Sequence, residues 1–210
     1  MSTQPSPALA EGTSKRLLTV AREVFSEHGF QGATVREICR RADVNLAAVN
    51  YHFSSKEALF AAALDFEPLN ALCSADHKGT ANERLQQFIR DFMVQIMDEK
   101  RSPQCKLMMQ ELMEPTLALD KIVHDAVAPL HHHVAQLVLE VIGQKISAAE
   151  LRRCVFSIFG QCLFYRHSYA VIQRLHPKLR YDAKESAETA RHIAEFSLAG
   201  LEQHSDKARN

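Results

Sequence analysis

The chain is 210 residues long and 46% hydrophobic, with 25 Lys and Arg set against 25 Asp and Glu. That is enough apolar material for one large or two small domains, and the zero formal charge argues against holding nucleic acid through bulk positive charge alone. No apolar run approaches the ~18 residues of a membrane-spanning helix, and the opening M-S-T-Q-P-S-P-A-L-A-E-G lacks a basic-then-apolar secretion signal, so the expected location is the cytoplasm.

Residues 1–11 are polar and Pro-containing, which predicts a disordered arm. A first helix is predicted over 13–28, where Leu17, Leu18, Ala21, Val24 and Phe25 make one apolar stripe and Gly29 follows as a C-cap. Thr34 with Glu37 three residues later has the form of a capping box. A second helix should therefore open at Val35, burying Ile38, Cys39 and Ala42 while Arg36, Arg40 and Arg41 face elsewhere. Asp43-Val44-Asn45 interrupts the period, and Asn45 can cap a third short helix over 46–52 whose Val49, with Phe53, faces the same core. Two short helices joined by a tight turn, here 34–53, form a helix-turn-helix. Ser54 with Glu57 predicts a further capping box and a linking helix running from 56 toward 72, loosened at Pro68.

The outer face of the third helix carries Ala47 and Ala48, then Asn50, Tyr51 and His52. Small residues let a backbone approach a surface closely, Asn can pair bidentately with adenine, and Tyr, His and the following Lys56 can hydrogen-bond phosphates. This is what a recognition helix in the major groove requires. The alternative, from geometry alone, is an ordinary αα-hairpin with a polar face. Local charge favours the first reading, since Arg36, Arg40, Arg41 and Lys56 stand against Glu37 and Asp43 over 34–56.

The run 34–60, above all N-Y-H-F-S-S-K-E-A-L-F, resembles the DNA-binding domain of the TetR family of one-component bacterial regulators. The resemblance implies an all-α, tetracycline-repressor-like fold. Its N-terminal three-helix DNA-binding domain would occupy 12–72, and a larger helical domain for effector binding and dimerisation 82–205. Carried over position by position, it implies that Thr34, Tyr51, His52 and Lys56 contact phosphates and that Asn45, Ala47, Ala48 and Asn50 face the groove; Arg36 is a further candidate DNA contact. Asn50 stands where the family often has Tyr. N-L-A-A-V-N-Y-H-F, with E-P-T near residue 115 and Pro129-Leu130, is similar to the CecR-like subgroup. The function implied is a ligand-responsive repressor, released from palindromic operator DNA by a small molecule and using no cofactor.

After the polar break at 76–82 the periodicity is helical and no strand pattern appears. Helices are predicted over 82–98, over the Met-rich 103–114 stopped by Pro115, and over 118–142 with a kink at Pro129; two more follow at 148–175 and 183–203. The last two carry more apolar surface than one neighbour covers. One presents Leu151, Val155, Ile158 and Cys162 around Gly160, and the other a stripe of Ala190, Ile193, Ala194, Ser197 and Leu198, which predicts a homodimer through 148–175 and 183–203. Phe88, Phe92, Met108, Met109, Met113 and Phe159 either fill the core or line an adaptable effector pocket, with Glu111 and Arg166 as polar groups.

There is no Gly-rich phosphate loop, G-x-S-x-G or H-E-x-x-H, so catalysis is not expected. His131-His132-His133, with His124, is the plausible metal cluster, but consecutive helical positions point ~100° apart. No metal is assigned; the rival reading is a helical His/Glu metal-binding or oxidoreductase bundle. Cys39, Cys73, Cys105, Cys154 and Cys162 contain no C-x-x-C pair and read as buried free thiols. Expected partners are double-stranded operator DNA, a small-molecule effector and a second copy of the chain, with no membrane.

Overall fold

A computed structural model describes residues 7–64, 66–98, 102–116 and 118–206. All regular structure among them is helical. The chain divides into two compact units, Met1–Asp65 with Ser102–Val123, and Phe66–Arg101 with His124–Asn210.

In the first unit, α1 (Pro7–Gly32) begins inside the segment expected to be a disordered arm. Proline is pre-organised for a first helical position and needs no N–H there; residues 1–6 lie outside the described residues. Gly29, at φ +66°, kinks α1 where the C-cap signal placed its end. In α2 (Val35–Ala42) the Thr34 hydroxyl accepts from the Glu37 N–H at 3.2 Å. The reciprocal half of the expected capping box is replaced, because the Glu37 carboxylate turns to the guanidinium groups of Arg40 and Arg41, each at 2.7 Å. Asp43, at φ +50°, closes α2, and the Asn45 Oδ1 caps α3 (Leu46–Phe53), accepting from the Ala48 N–H at 2.9 Å.

Ser54 takes φ +55° and ends α3, so the cap of α4 (Lys56–Leu64) passes to Ser55, whose Oγ accepts from the Ala58 N–H at 3.1 Å. Leu17, Ala21, Val24 and Phe25 of α1 form a buried core with Ile38, Val49, Leu59 and Phe60. The ring of Phe60 meets Phe25 and Phe30 edge-on, at 4.9 and 5.1 Å. Two later helices complete this unit: α7 (Ser102–Met113) packs on α1 and α4, and α8 (Ala118–Ile122) on α4. The Met-rich segment, expected in the C-terminal domain, therefore clusters with the N-terminal helices. Leu107 and Ile122, both fully buried, anchor it.

The linking helix is two helices rather than one. α4 stops at Leu64 and α5 (Glu67–Cys73) starts anew with Pro68 in its first turn. Pro68 can neither donate to the Leu64 carbonyl nor avoid crowding it.

The second unit is built on α6 (Ala81–Met97), α9 (Ala128–Ile142), α10 (Ala148–His167) and α12 (Ala183–Asp206). Reciprocal capping boxes, Thr80 with Glu83 and Ser147 with Glu150, open α6 and α10. The helix expected over 118–142 is split by a π-helical turn, Val123–Val127, just ahead of Pro129. Pro129 has no N–H to offer the Asp125 carbonyl four residues before it, and the Asn70 side-chain amide donates to that carbonyl at 2.8 Å. The helix expected over 148–175 breaks at Ser168 (φ −93°, ψ 13°), giving α11 (Tyr169–Leu175). Serine favours caps over helix interiors.

The small-residue stripe of α12 is also reassigned. Ala190, Ile193, Ala194, Ser197 and Leu198 are buried within this chain, where α12 lies along α6. Small side chains let two helices of one chain approach just as well as two helices of a dimer.

Candidate nucleic-acid interface

Successive helical residues are ~100° apart, so Leu46, Asn50, Ala47 and Tyr51 fall on one arc of α3, and all four are exposed. Val49, 1% exposed, points into the core, and Ala48 and His52 are half-buried at its flanks. Tyr51 is 72% exposed, its ring edge-on to His52 at 5.0 Å. Thr34, Arg36 and Asn45 are exposed on the adjoining helix and turn. The Thr34 hydroxyl and the Asn45 carboxamide oxygen are already engaged as caps, so any contact with a partner must be shared with that duty. Lys56 is half-buried, with its Nζ 4.5 Å above the Phe30 ring, a cation–π contact that holds the ammonium group at the start of α4.

The structure thus gathers Thr34, Arg36, Asn45, Ala47, Asn50 and Tyr51 on one helix-turn-helix, and turns Ala48 partly away. It adds Leu46, 52% exposed, which sequence reasoning passed over as a helix-opening residue. The spacing of Leu46 four residues before Asn50, directly after the Asn45 cap, was the available signal.

The basic surplus over 34–56 is smaller than a count of residues suggests. The Arg40 and Arg41 hydrogen bonds hold the Glu37 carboxyl at about 2, against an ordinary 4.5. Arg41 also reaches Glu27 on α1 at 2.9 Å. Two of the four basic groups therefore lie in an ion network that ties α2 to α1 and are not simply offered to solvent.

The residues proposed for an effector pocket are divided between the units. In the second unit, Phe88 and Phe92 stack at 5.9 Å, and Phe159 meets them edge-on at 6.5 and 5.4 Å. The His133 ring lies 5.3 Å from Phe88. Its Nε2 is buried without a hydrogen-bond partner among the described residues, and burial, then the His77 charge, pushes its pKa down. Arg166 is half-buried on α10. Met108, Glu111 and Met113 belong to the first unit. There the buried Glu111 carboxylate accepts from the Thr116 N–H and hydroxyl at 2.7 and 2.9 Å, holding the turn before α8, while Met113 is 76% exposed. The Met109 side chain lies outside the described residues.

A groove of about 380 Å³ runs between α10 and α12 beside Gly160, with Phe164 and Phe196 on its walls. The three consecutive histidines go separate ways: His131 to the Phe156 ring at 5.7 Å, the His132 Nδ1 to the Ala128 carbonyl at 2.7 Å, and His133 to Phe88. No group of three or more His, Cys, Asp or Glu able to hold a metal occurs among the described residues. Cys39 and Cys162 are buried and Cys73 and Cys154 half-buried, all as free thiols; burial pushes Cys162 up to about 12. The Cys105 side chain lies outside the described residues.

A capped helix-turn-helix with an exposed, amide-bearing second helix, joined to an all-helical unit, defines a helix-turn-helix transcriptional regulator. The family profiles agree. One described as "Bacterial regulatory proteins, tetR family" matches residues 17–63, and one described as "HTH-type transcriptional dual regulator CecR, C-terminal domain" matches residues 81–201. The chain belongs to the TetR family of transcriptional regulators, with a C-terminal domain of the CecR type.

It is 26% identical over 172 residues to the HTH-type transcriptional dual regulator CecR of Shigella flexneri, covering 74% of this chain and 76% of that protein. To the transcriptional regulator UidR of Escherichia coli K12 it is 42% identical over 55 residues, 26% of this chain and 28% of that one. A solved transcriptional regulator of Pseudomonas aeruginosa PAO1 shares the fold with a TM-score of 0.69 over 92% of this chain and 93% of that chain, at 19% identity. CecR and UidR are both HTH-type transcriptional regulators. No helix among the described residues is long and apolar enough to cross a membrane.

Proposed function

We propose that this regulator is a cytoplasmic repressor that holds a palindromic operator as a homodimer and leaves it when a small apolar effector binds its second unit. The observation that carries the reading is the exposed arc of α3, where Asn50 and Tyr51 stand clear of the core on a helix fixed at both ends by Asn45 and Ser54. Asn50 supplies a bidentate partner for adenine, and Tyr51, Arg36 and Lys56 supply phosphate contacts that set the register.

Dimerisation is supported by the aromatic walls of the α10–α12 groove: Phe164 and Phe196 are 57% and 65% exposed, an apolar surface on two neighbouring helices. A second copy laid across α10 and α12 would cover it. The two readers would then address half-sites about one DNA turn, ~34–36 Å, or a multiple apart. The effector reading is supported by the buried His133 Nε2, which has no hydrogen-bond partner among the described residues, beside the packed Phe88, Phe92 and Phe159 rings, which would have to part to admit an apolar molecule carrying one hydrogen-bonding group. An effector that prefers the non-binding state by ~1–3 kcal/mol would lower operator affinity roughly 5- to 150-fold, and operator would lower effector affinity by the same factor.

Footprinting of the full-length protein on the DNA flanking its own gene tests this reading. The expected result is a protected palindrome occupied by two chains and released by apolar small molecules. A protected site without two-fold symmetry, or one chain per site, would contradict it.

A further inference from the structure

The exposed arc of α3 offers little hydrogen-bonding chemistry to a base. Leu46, Ala47, Asn50 and Tyr51 make up that arc, and only Asn50 and Tyr51 carry a polar group. The neighbouring Asn45 already uses its carboxamide oxygen on the Ala48 N–H. Leu46 is 52% exposed at the first position of the helix, while Val49 is buried and Phe53, two turns on along the same side as Leu46, is half-buried. Helical side chains lean toward the N-terminus, so Leu46 projects ahead of the helix end that recognition helices direct at base edges. A large apolar side chain there finds one apolar partner in the major groove, the C5 methyl of thymine; the other edges present N7, O6, O4 and amino groups.

We infer that Leu46 is a specificity-determining residue that reads a thymine methyl, one helical turn from the base pair read by Asn50. The inference rests on the DNA-binding reading of α3 and adds to it the kind of base recognised. Each half-site therefore carries a thymine opposite Leu46 beside the adenine met by Asn50, and the operator core is A·T-rich. Cytosine at the Leu46 position lacks the methyl and is discriminated against without any hydrogen bond being lost.

Deoxyuridine isolates this contact, because it keeps every hydrogen bond of thymidine and lacks only the methyl. Duplexes selected by the full-length protein from random sequence are resynthesised with each thymine replaced in turn by deoxyuridine, and affinity is read by fluorescence anisotropy. For the wild type, one position per half-site should lose roughly fourfold, the effect of uncovering about one buried methyl-sized group. Leu46→Ala should bind the thymidine and deoxyuridine duplexes equally at that position, with a thermal midpoint and salt dependence like those of the wild type, since Leu46 lies outside the core.

Equal wild-type affinity for thymidine and deoxyuridine at every position would overturn the inference while leaving DNA binding standing. So would persistence of the methyl effect in Leu46→Ala, which would assign it to Ala47 instead. Failure to select any duplex would instead remove the DNA-binding reading of α3 itself, and the inference with it.

Discussion

Helices α3 and α12 both carry alanines, adjacent in α3 and one turn apart in α12, and they use them in opposite directions. In α3, Ala47 faces solvent beside Asn50 and Tyr51; in α12, Ala190 and Ala194 are 1% and 2% exposed and let the helix lie against α6. A stripe of alanines says that something will come close. It does not say whether that is DNA, a second chain or the helix next door. What distinguishes the two is the opposite face: α3 is eight residues long with one fully buried side chain, Val49, whereas the outward side of α12 still carries the large aromatic Phe196.

The comparison is sharpened by substitutions whose effects should differ in kind. The largest change in stability is expected at Phe88, 1% exposed and stacked on Phe92: Phe88→Ala should cost ~3–5 kcal/mol in denaturant unfolding. Next come the alanines themselves. Ala194→Leu should overpack the α6–α12 contact and cost ~1–3 kcal/mol, with DNA binding falling only as the folded fraction falls. Ala47→Leu should move stability by less than about 0.5 kcal/mol and yet abolish specific DNA binding, because it fills the space the groove wall needs. If the two alanine variants behaved alike, the distinction between an outward and an inward small-residue face would be lost.

Smaller and less sequence-dependent effects belong to the charged groups. Lys56→Ala should weaken binding to all duplexes alike and reduce the salt slope by about 1, as for one lost phosphate contact. Retention of the full slope would mean that the ammonium group serves only the Phe30 ring. Glu37 makes an acid-limb prediction. Its folded carboxyl sits at about 2 against an ordinary 4.5, so the stability it contributes is present above pH 4.5 and is lost as pH falls toward 2. Glu37→Gln should flatten that part of the stability profile, and an NMR titration of the Glu37 carboxyl with a midpoint near 4.5 would refute the Arg40 and Arg41 pairing.

Much of the reader was legible in the sequence because its signals are local. Thr34 and Asn45 cap the helices they were expected to cap, Gly29 breaks α1 at its expected end, and Pro129 marks a real departure from α-helix. What failed to show was set by distant partners. Glu37 looked like half of a capping box until two arginines one turn further on captured it, and Ser54 yielded its cap to Ser55 once its own backbone entered the left-handed region. The Met-rich helix read as core or pocket lining of the C-terminal domain, but it clusters with the N-terminal helices, where Leu107 and Glu111 are buried by packing that no periodicity could reveal. Leu46 was missed for a related reason: an apolar residue at a helix start is assumed to be core until its exposure is known.

The central claim is that α3 reads DNA sequence through its exposed arc, and Asn50 tests it most directly. Fluorescence anisotropy at one fixed salt concentration should show the wild type preferring its selected duplex over a scrambled one by at least about 10³-fold. Asn50→Ala, with unchanged unfolding, should lose ~1–3 kcal/mol of discrimination at a single base pair. Undiminished discrimination at every base pair in a folded Asn50→Ala protein would contradict the account.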